Sequence, residues 1–238
     1  MTDETIAPLR LGRVSLARVR RHEPWFAARY LHERERALCR TLRVDKRRIE
    51  LVAGRVAAKR ALGCDGDGAA ALCVLPATGA AAGAPRLFSD DGVELATALS
   101  ISHGGDWAVA VASEEARVGV DIERVEQRAP SFAREAFADG ELAAWGVVLG
   151  GAADDPRVIT VAWCAKEALL KLDGSGLRAV LPAIVPTAIT LAAAAPGGLA
   201  HGRLHAPPIG DCRFALTVDD ARALVIVWSV NRSQEDEP

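Results

Sequence analysis

Two carboxylates stand two residues apart in "VGVDIE", residues 118–123. In an extended backbone Val118, Val120 and Ile122 share one face, and Gly119, Asp121 and Glu123 share the other. That puts the two acids roughly 6–7 Å apart on one side of a strand. They repel unless both face water or a cation lies between them. Hard carboxylate oxygens suit Mg2+, which keeps coordination positions for phosphate and water. On spacing alone, a half-exposed strand with two solvated acids is the favoured reading. A second group lies in "VAWCAKEALLKLD", residues 161–173. There Trp163, Glu167 and Lys171 recur at i, i+4 and i+8 on one helical stripe, with Lys166 alongside. Cys164, Ala165, Ala168, Leu169 and Leu172 form the opposite, apolar face. The bland alternative is an ordinary surface pair between Glu167 and Lys171. Lysine is also a compact, mobile charge suited to phosphate, and two of the four lysines in the chain fall here. The third group is "LSISHGGDWAVAVA", residues 99–112, where Ser102 and His103 end a strand. Gly104-Gly105 after them lets a backbone approach a ligand closely.

The elements that must hold these groups are legible from periodicity. Apolar positions at helical spacing predict helices over 25–43 and 47–62, the second stopped by Gly63. Residues 64–85 read as a loop with one short strand at 72–75. Strands are expected at 99–102, 107–112 and 118–123. Helices follow at 131–137 and 141–149, then a loop through Asp154-Asp155-Pro156. A strong helix is expected over 160–172, closed by Asp173-Gly174-Ser175-Gly176. Strands at 188–192, 199–204, 213–218 and 224–230 complete the pattern, and residues 231–238 are polar and frayed. Helices with mainly antiparallel strands in both halves give the class α+β, not a doubly wound parallel sheet. "AKRAL" at 58–62 echoes "AKEAL" at 165–169. In a chain rich in Ala and Leu this is either chance or the trace of two related halves.

Composition bounds the rest. The chain has 238 residues, half of them hydrophobic, and a net charge of −2, which suits one large domain or two small ones with real cores. It contains no run of eighteen apolar residues, so no membrane span is expected. The start, Met1-Thr2-Asp3-Glu4-Thr5, is acidic where a signal peptide is basic. Five scattered cysteines, an odd number without a Cys-x-x-Cys pair, read as reduced, mostly buried thiols of a cytoplasmic protein. His201 and His205 have helical metal-ligand spacing, but Gly202, Pro207 and Pro208 make a loop or strand end the better reading. "GSGLRA" at 174–179 follows a helix where a dinucleotide fingerprint must follow a strand. "DGDG" at 65–68 opens like a calcium loop, yet Pro76 takes the place of its bidentate Glu. The positive charge is uneven: residues 1–60 hold 14 Arg and 2 Lys against 7 acids, a net of +9, leaving −11 for the remainder. Few aromatics interleave with those arginines, which argues for a solvated helix face over a nucleic-acid surface.

Taken together and in this order, "SISHGGDWAVAVA", "VGVDIE" and "WCAKEALLKLDGSGL" resemble the 4′-phosphopantetheinyl transferases of the type that activates peptide synthetases. The resemblance spans roughly residues 47–177. It includes the weaker "AGRVAAKRAL" (53–62) and "GAPRL" (83–87). Its specific part is the Asp-x-Glu pair followed by Trp-x-x-Lys-Glu-x-x-x-Lys.

The resemblance implies a monomer of two similar α+β halves about a pseudo-twofold axis, residues 1–115 and 116–238. The first half would hold the coenzyme A nucleotide, and the second the metal-binding acids. The implied reaction moves the phosphopantetheine arm of coenzyme A, the co-substrate, onto a serine of an apo acyl or peptidyl carrier protein and releases 3′,5′-ADP. Fatty-acid, polyketide and nonribosomal peptide carriers all fit; neither nucleic acid nor membrane is an implied partner. Asp121, Glu123 and Glu167 would hold Mg2+ against the pyrophosphate. Lys166 and Lys171 would contact phosphate oxygens, and Ser102 and His103 the nucleotide end. Arg48, Arg55 and Lys59 are implied in the same task. Glu167 and Glu141, the latter placed by "FADGE" (137–141), are both candidates for the base that deprotonates the carrier serine. At "GAP" (83–85) many relatives have Gly-Lys-Pro; Ala84 cannot make that contact, and Arg86 is its expected replacement. Two other readings use the same residues: a non-catalytic protein binding nucleotide or nucleic acid, and another Mg2+-dependent phosphoryl transferase.

Overall fold

The computed structural model describes residues 9–66, 68–79, 82–174, 184–192 and 199–229. The chain divides into two compact units, Met1–Glu115 and Ala116–Pro238. The first runs β1 (Arg10–Ser15), α1 (Leu16–Arg21), α2 (Glu23–Tyr30), α3 (Glu33–Thr41), α4 (Asp45–Ala61), β2 (Cys73–Pro76), β3 (Pro85–Phe88), β4 (Glu94–Leu95), β5 (Ala98–Gly104) and β6 (Trp107–Ser113). The second runs β7 (Val118–Arg124), α5 (Pro130–Ala136), α6 (Glu141–Leu149), α7 (Pro156–Asp173), β8 (Thr187–Leu191), β9 (Ala200–Ala206), β10 (Gly210–Val218) and β11 (Arg222–Ser229). Every strand pair is antiparallel, in sheets ordered β1-β6-β5, β2-β3-β4 and β7-β11-β10-β9-β8. The protein is α+β, as its periodicities imply.

The two units share a plan. Each opens on a strand that pairs with the last strand of its main sheet, and each lays one long helix on that sheet, α4 in the first and α7 in the second. Small residues allow the close fit: Ala53, Ala57, Ala58 and Ala61 of α4, and Ala162, Ala165 and Ala168 of α7, are all buried. The tightest points are two strand glycines. A Cβ on Gly12 would lie 2.0 Å from the Ala57 carbonyl oxygen, and one on Gly119 would lie 1.9 Å from that of Ala168. Both obstacles are helix backbone, which cannot swing aside as a side chain can. Gly119→Ala is therefore expected to cost about 1–3 kcal/mol of stability, read as a lowered urea midpoint. An unchanged midpoint would mean that α7 can lift from the sheet at no cost.

The sequence-based elements need correction at five places, the first being α1 (Leu16–Arg21), which lies in a stretch not read as a helix. Residues 25–43 are not one helix: α2 starts at Glu23 with Pro24 in its first turn, Leu31 caps its end, and His32 caps the start of α3. The His32 imidazole accepts from the Arg34 N–H at 3.1 Å, while Glu35 accepts from the His32 N–H at 2.7 Å. This capping box has His where Ser or Thr is usual, which hides it in the sequence. The edge strand β1 has only Gly12 and Val14 facing inward, too few apolar residues to register as a period of two. β3 and β4, the latter only two residues long, lie in stretches not read as strands. Finally, α7 starts at Pro156, with Asp155 as its N-cap accepting from the Arg157 N–H at 2.8 Å. Asp-Pro is a helix start here, not a loop.

All five cysteines are free and four are buried. His201 and His205 lie exposed on β9, and His205 Nδ1 is 2.7 Å from Asp211 Oδ1, an ordinary surface contact. No helix among the described residues is long and apolar enough to cross a membrane. Most of "GSGLRA" and the tail lie outside the described residues.

Candidate active site

The acid row of β7 lies under the stripe of α7. Asp121 is only 4% exposed, because the helix covers the face it shares with Gly119 and with Val225 and Val227 of β11. Lys171 Nζ donates to Asp121 Oδ1 at 2.7 Å and to the Val120 carbonyl at 3.0 Å. At the other end of the stripe the Trp163 indole hydrogen-bonds to Glu123. Helix and strand thus run in opposite directions, with Trp163 over Glu123 and Lys171 over Asp121. Glu167, half-buried, sits on the helix between them. The stripe meets Glu123 and Asp121 of the row, but Cys164, Ala168 and Leu172, expected on the opposite face, also lie against it, Cys164 at Asp121 and the other two at Gly119.

Charge in this row is not balanced from within. Burial raises the Glu123 carboxyl above its ordinary 4.5, the Asp121 charge raises it further, and Arg128, Lys171 and Trp163 pull it back. Glu167 is raised from the same value, first by burial and then by Asp121, against Lys171. The two groups therefore feel Asp121 as a common repulsive neighbour. An all-oxygen set under mutual repulsion is chemically suited to a hard cation. Among the described residues, however, no three His, Cys, Asp or Glu side chains are gathered as a metal cluster. Any such ion would draw on one or two carboxylates at a time.

The raised carboxyls give a definite pH sign. A group with a folded pKa above its unfolded value contributes stability that is full below the unfolded value and lost as pH rises through the folded one. In chelator, Glu167 should thus favour folding below 4.5 and lose that contribution as pH climbs through its raised value. The fall in urea midpoint over that interval is expected to be smaller in Glu167→Gln than in the parent chain. Equal falls would remove Glu167 from the repulsive row.

Arg128 was not anticipated, yet its guanidinium is 3.6 Å from Glu123 and lies over the Phe132 ring at 4.7 Å. Phe132 in turn meets Trp163 edge-on at 5.1 Å. Lys166 is fully buried, where contact with phosphate was expected. Its ammonium donates to Glu141 at 2.8 Å and to the Ala136 carbonyl at 2.9 Å. Glu141, 3% exposed, also accepts from the Ala138 N–H at 3.0 Å. Enclosure of this kind leaves it poorly placed to receive a proton from a second protein.

In the first unit Lys59 is likewise fully buried. It donates to the Tyr30 carbonyl and to Glu35, the latter at 2.5 Å. Arg55 is 3.7 Å from the same carboxylate, and burial holds its guanidinium below the ordinary range. Glu35 was not anticipated either; a buried acid leaves no trace in periodicity. Arg48 pairs with Glu23 and Asp45, each at 2.8 Å, and Arg86 with Glu94 at 3.2 Å. Both are partly exposed. Ser102 and His103 are adjacent on β5 and so point to opposite faces. Ser102 is buried, whereas exposed His103 lies with Ile101 against α4, its ring near the bare Cα of Gly54.

Residues 117–201, from the start of β7 into β9, match the model of the 4′-phosphopantetheinyl transferase superfamily. The match spans 85 of the 238 residues. The superfamily region contains the acid row, Glu141 and the whole of α7. A solved structure, a holo-(acyl-carrier-protein) synthase from Bacillus anthracis str. Ames in complex with CoA (3′,5′-ADP), is 29% identical. It covers 44% of this chain and 91% of its own, at a TM-score of 0.36. No curated protein matches.

Proposed function

We propose that the chain transfers the 4′-phosphopantetheine arm of coenzyme A to a serine of an apo carrier protein and releases 3′,5′-ADP. The observation that carries this reading is the facing of Asp121 and Glu123 by Glu167 and Lys171 within the superfamily region. Coenzyme A is also the ligand of the synthase from Bacillus anthracis.

Asp121 and Glu123 would hold Mg2+; Glu167, assigned to the same ion by resemblance, is not gathered with them as a third ligand. When bound, that ion supplies positive charge against the pyrophosphate oxygens as negative charge builds on the leaving group. Lys171, already oriented by Asp121 and the Val120 carbonyl, offers an ammonium to the phosphates. The serine oxygen forms a bond to the β-phosphorus, the bond from that phosphorus to the bridging oxygen breaks, and 3′,5′-ADP leaves with the electron pair. The serine proton goes to Glu167, whose raised carboxyl favours accepting it. His103 and Ser102 are assigned to the nucleotide end. Arg48 and Arg86 join them, because surface ion pairs such as theirs are worth little and exchange readily.

The test combines purified protein, coenzyme A, Mg2+ and several apo carriers, read by intact mass and by release of 3′,5′-ADP. A phosphopantetheine adduct on a carrier is expected. Folded protein that modifies none of them would overturn the proposal, and a product phosphorylated without the pantetheine arm would favour another phosphoryl transferase.

A further inference from the structure

The two buried lysines are the same device built twice. In the first unit Lys59 of α4 joins Glu35 and the Tyr30 carbonyl; in the second Lys166 of α7 joins Glu141 and the Ala136 carbonyl. In both, the carbonyl lies five residues before the glutamate (30 to 35, 136 to 141). Each glutamate also accepts from the backbone N–H three residues before it, His32 or Ala138. The lysine follows the glutamate by 24 residues in one unit and 25 in the other. These are the lysines of "AKRAL" and "AKEAL", so the echo in the sequence marks a shared structural device. The correspondence has one offset. Gly12 abuts residues 57 and 61 around Lys59, whereas Gly119 abuts 168 and 172, one helical turn further along.

The residue after each lysine differs. In α4 it is Arg60, which donates to the Arg13 carbonyl at 3.0 Å and lies 3.7 Å from Asp65. In α7 it is Glu167. A device common to both units, only one of which carries the acid row, has no need of phosphate to explain it. In the second unit it also connects to that row by packing. Lys166 lies over the Phe137 ring at 5.1 Å, Phe137 meets Phe132 at 6.1 Å, and Phe132 meets both Trp163 and Arg128, the partners of Glu123.

We propose that Lys166 and Glu141 are positioning residues. They form a buried pin between α7 and the α5–α6 connection that sets the helix so that Trp163, Glu167 and Lys171 meet Asp121 and Glu123. The role in turnover rests on the transferase reading above; the pin itself does not. Successive helix residues are about 100° apart, so turning Lys166 inward dictates where Glu167 points.

The test uses the full chain in three forms: Lys166→Met, Glu141→Gln and the double variant. Each single substitution strands one buried charge, whereas the double variant leaves none and keeps an acceptor for the Ala138 N–H. Each single variant is expected to lose about 100-fold in kcat, with the KM for coenzyme A changed by less than about threefold, and the double to regain at least about tenfold. If a single variant does not fold, the double alone decides, and kcat within about tenfold of the parent is expected. A folded double as slow as the slower single would overturn the proposal, by placing Glu141 or Lys166 among the reacting groups. So would a KM for coenzyme A raised about tenfold or more in folded Lys166→Met, since that would mean a lost phosphate contact. Amide exchange along α7 is read in parallel and needs no substrate. It is expected to accelerate about tenfold or more in Lys166→Met, or in Glu141→Gln if the former does not fold, and to recover in the double. Unchanged exchange would sink the pin whatever the enzyme assay gave. Parent protein that transfers nothing, with exchange behaving as expected, would instead sink the transferase reading alone.

Discussion

Asp121→Asn is expected to lower phosphopantetheine transfer about a thousandfold while leaving the fold intact, the scale of loss seen when one preorganised electrostatic contact to a transition state is removed. The substitution keeps the shape of a side chain enclosed between β7 and α7, and removes only its charge. Lys171 loses an ionic partner but is 28% exposed and retains the Val120 carbonyl, so the cost in stability is small. Asp121 also lifts the carboxyl groups of Glu123 and Glu167, so both should titrate lower in the variant. The measurements are kcat with a saturating carrier and the urea midpoint. A folded variant within about tenfold of the parent rate would remove Asp121 from the group that manages charge in the transition state.

Glu35→Ala should produce the largest loss of stability. Its carboxylate sits at 0% exposure and serves four groups: the N–H of His32, the N–H of Val74 at 2.8 Å, the Lys59 ammonium and the Arg55 guanidinium. Its removal breaks the cap of α3, frees a donor at the start of β2 and leaves two enclosed cations without their carboxylate. Breaking a buried pair by deleting one partner costs about 3–5 kcal/mol, a large share of the stability of a typical domain. Burial already pushes the Lys59 ammonium down, and Glu35 is what offsets it. The expected result is a fall of that size in unfolding free energy from urea titration. A loss below about 1 kcal/mol would mean that water reaches Lys59 and Arg55 readily, and that the pin in the first unit is not a buried one.

The two units differ in how far they can be read from residues alone. β7 and α7 state their faces openly. Alternation in "VGVDIE" and the four-residue recurrence of Trp163, Glu167 and Lys171 are local facts, and a local period dictates which side chains share a side. The same alternation separates Ser102 from His103, although proximity in sequence invites treating them as a pair. The first unit hides more. Its edge strand offers two inward residues, its first three helices are short, and the capping box that divides α2 from α3 uses a histidine.

The sequence by itself determined the α+β class, both long helices, most strands and the composition of the acid row, because each follows from a period of two or of 3.6 within one segment. Only the tertiary structure decided what the lysines do. Lys166 and Lys171 lie five residues apart on one helix and look alike as phosphate ligands. One is buried against a glutamate 25 residues earlier, the other reaches a carboxylate 50 residues earlier at a partly open edge. An ammonium can be buried only where another element brings a carboxylate and a carbonyl to meet it. That meeting is a property of how the segments pack, and no window along the chain contains it.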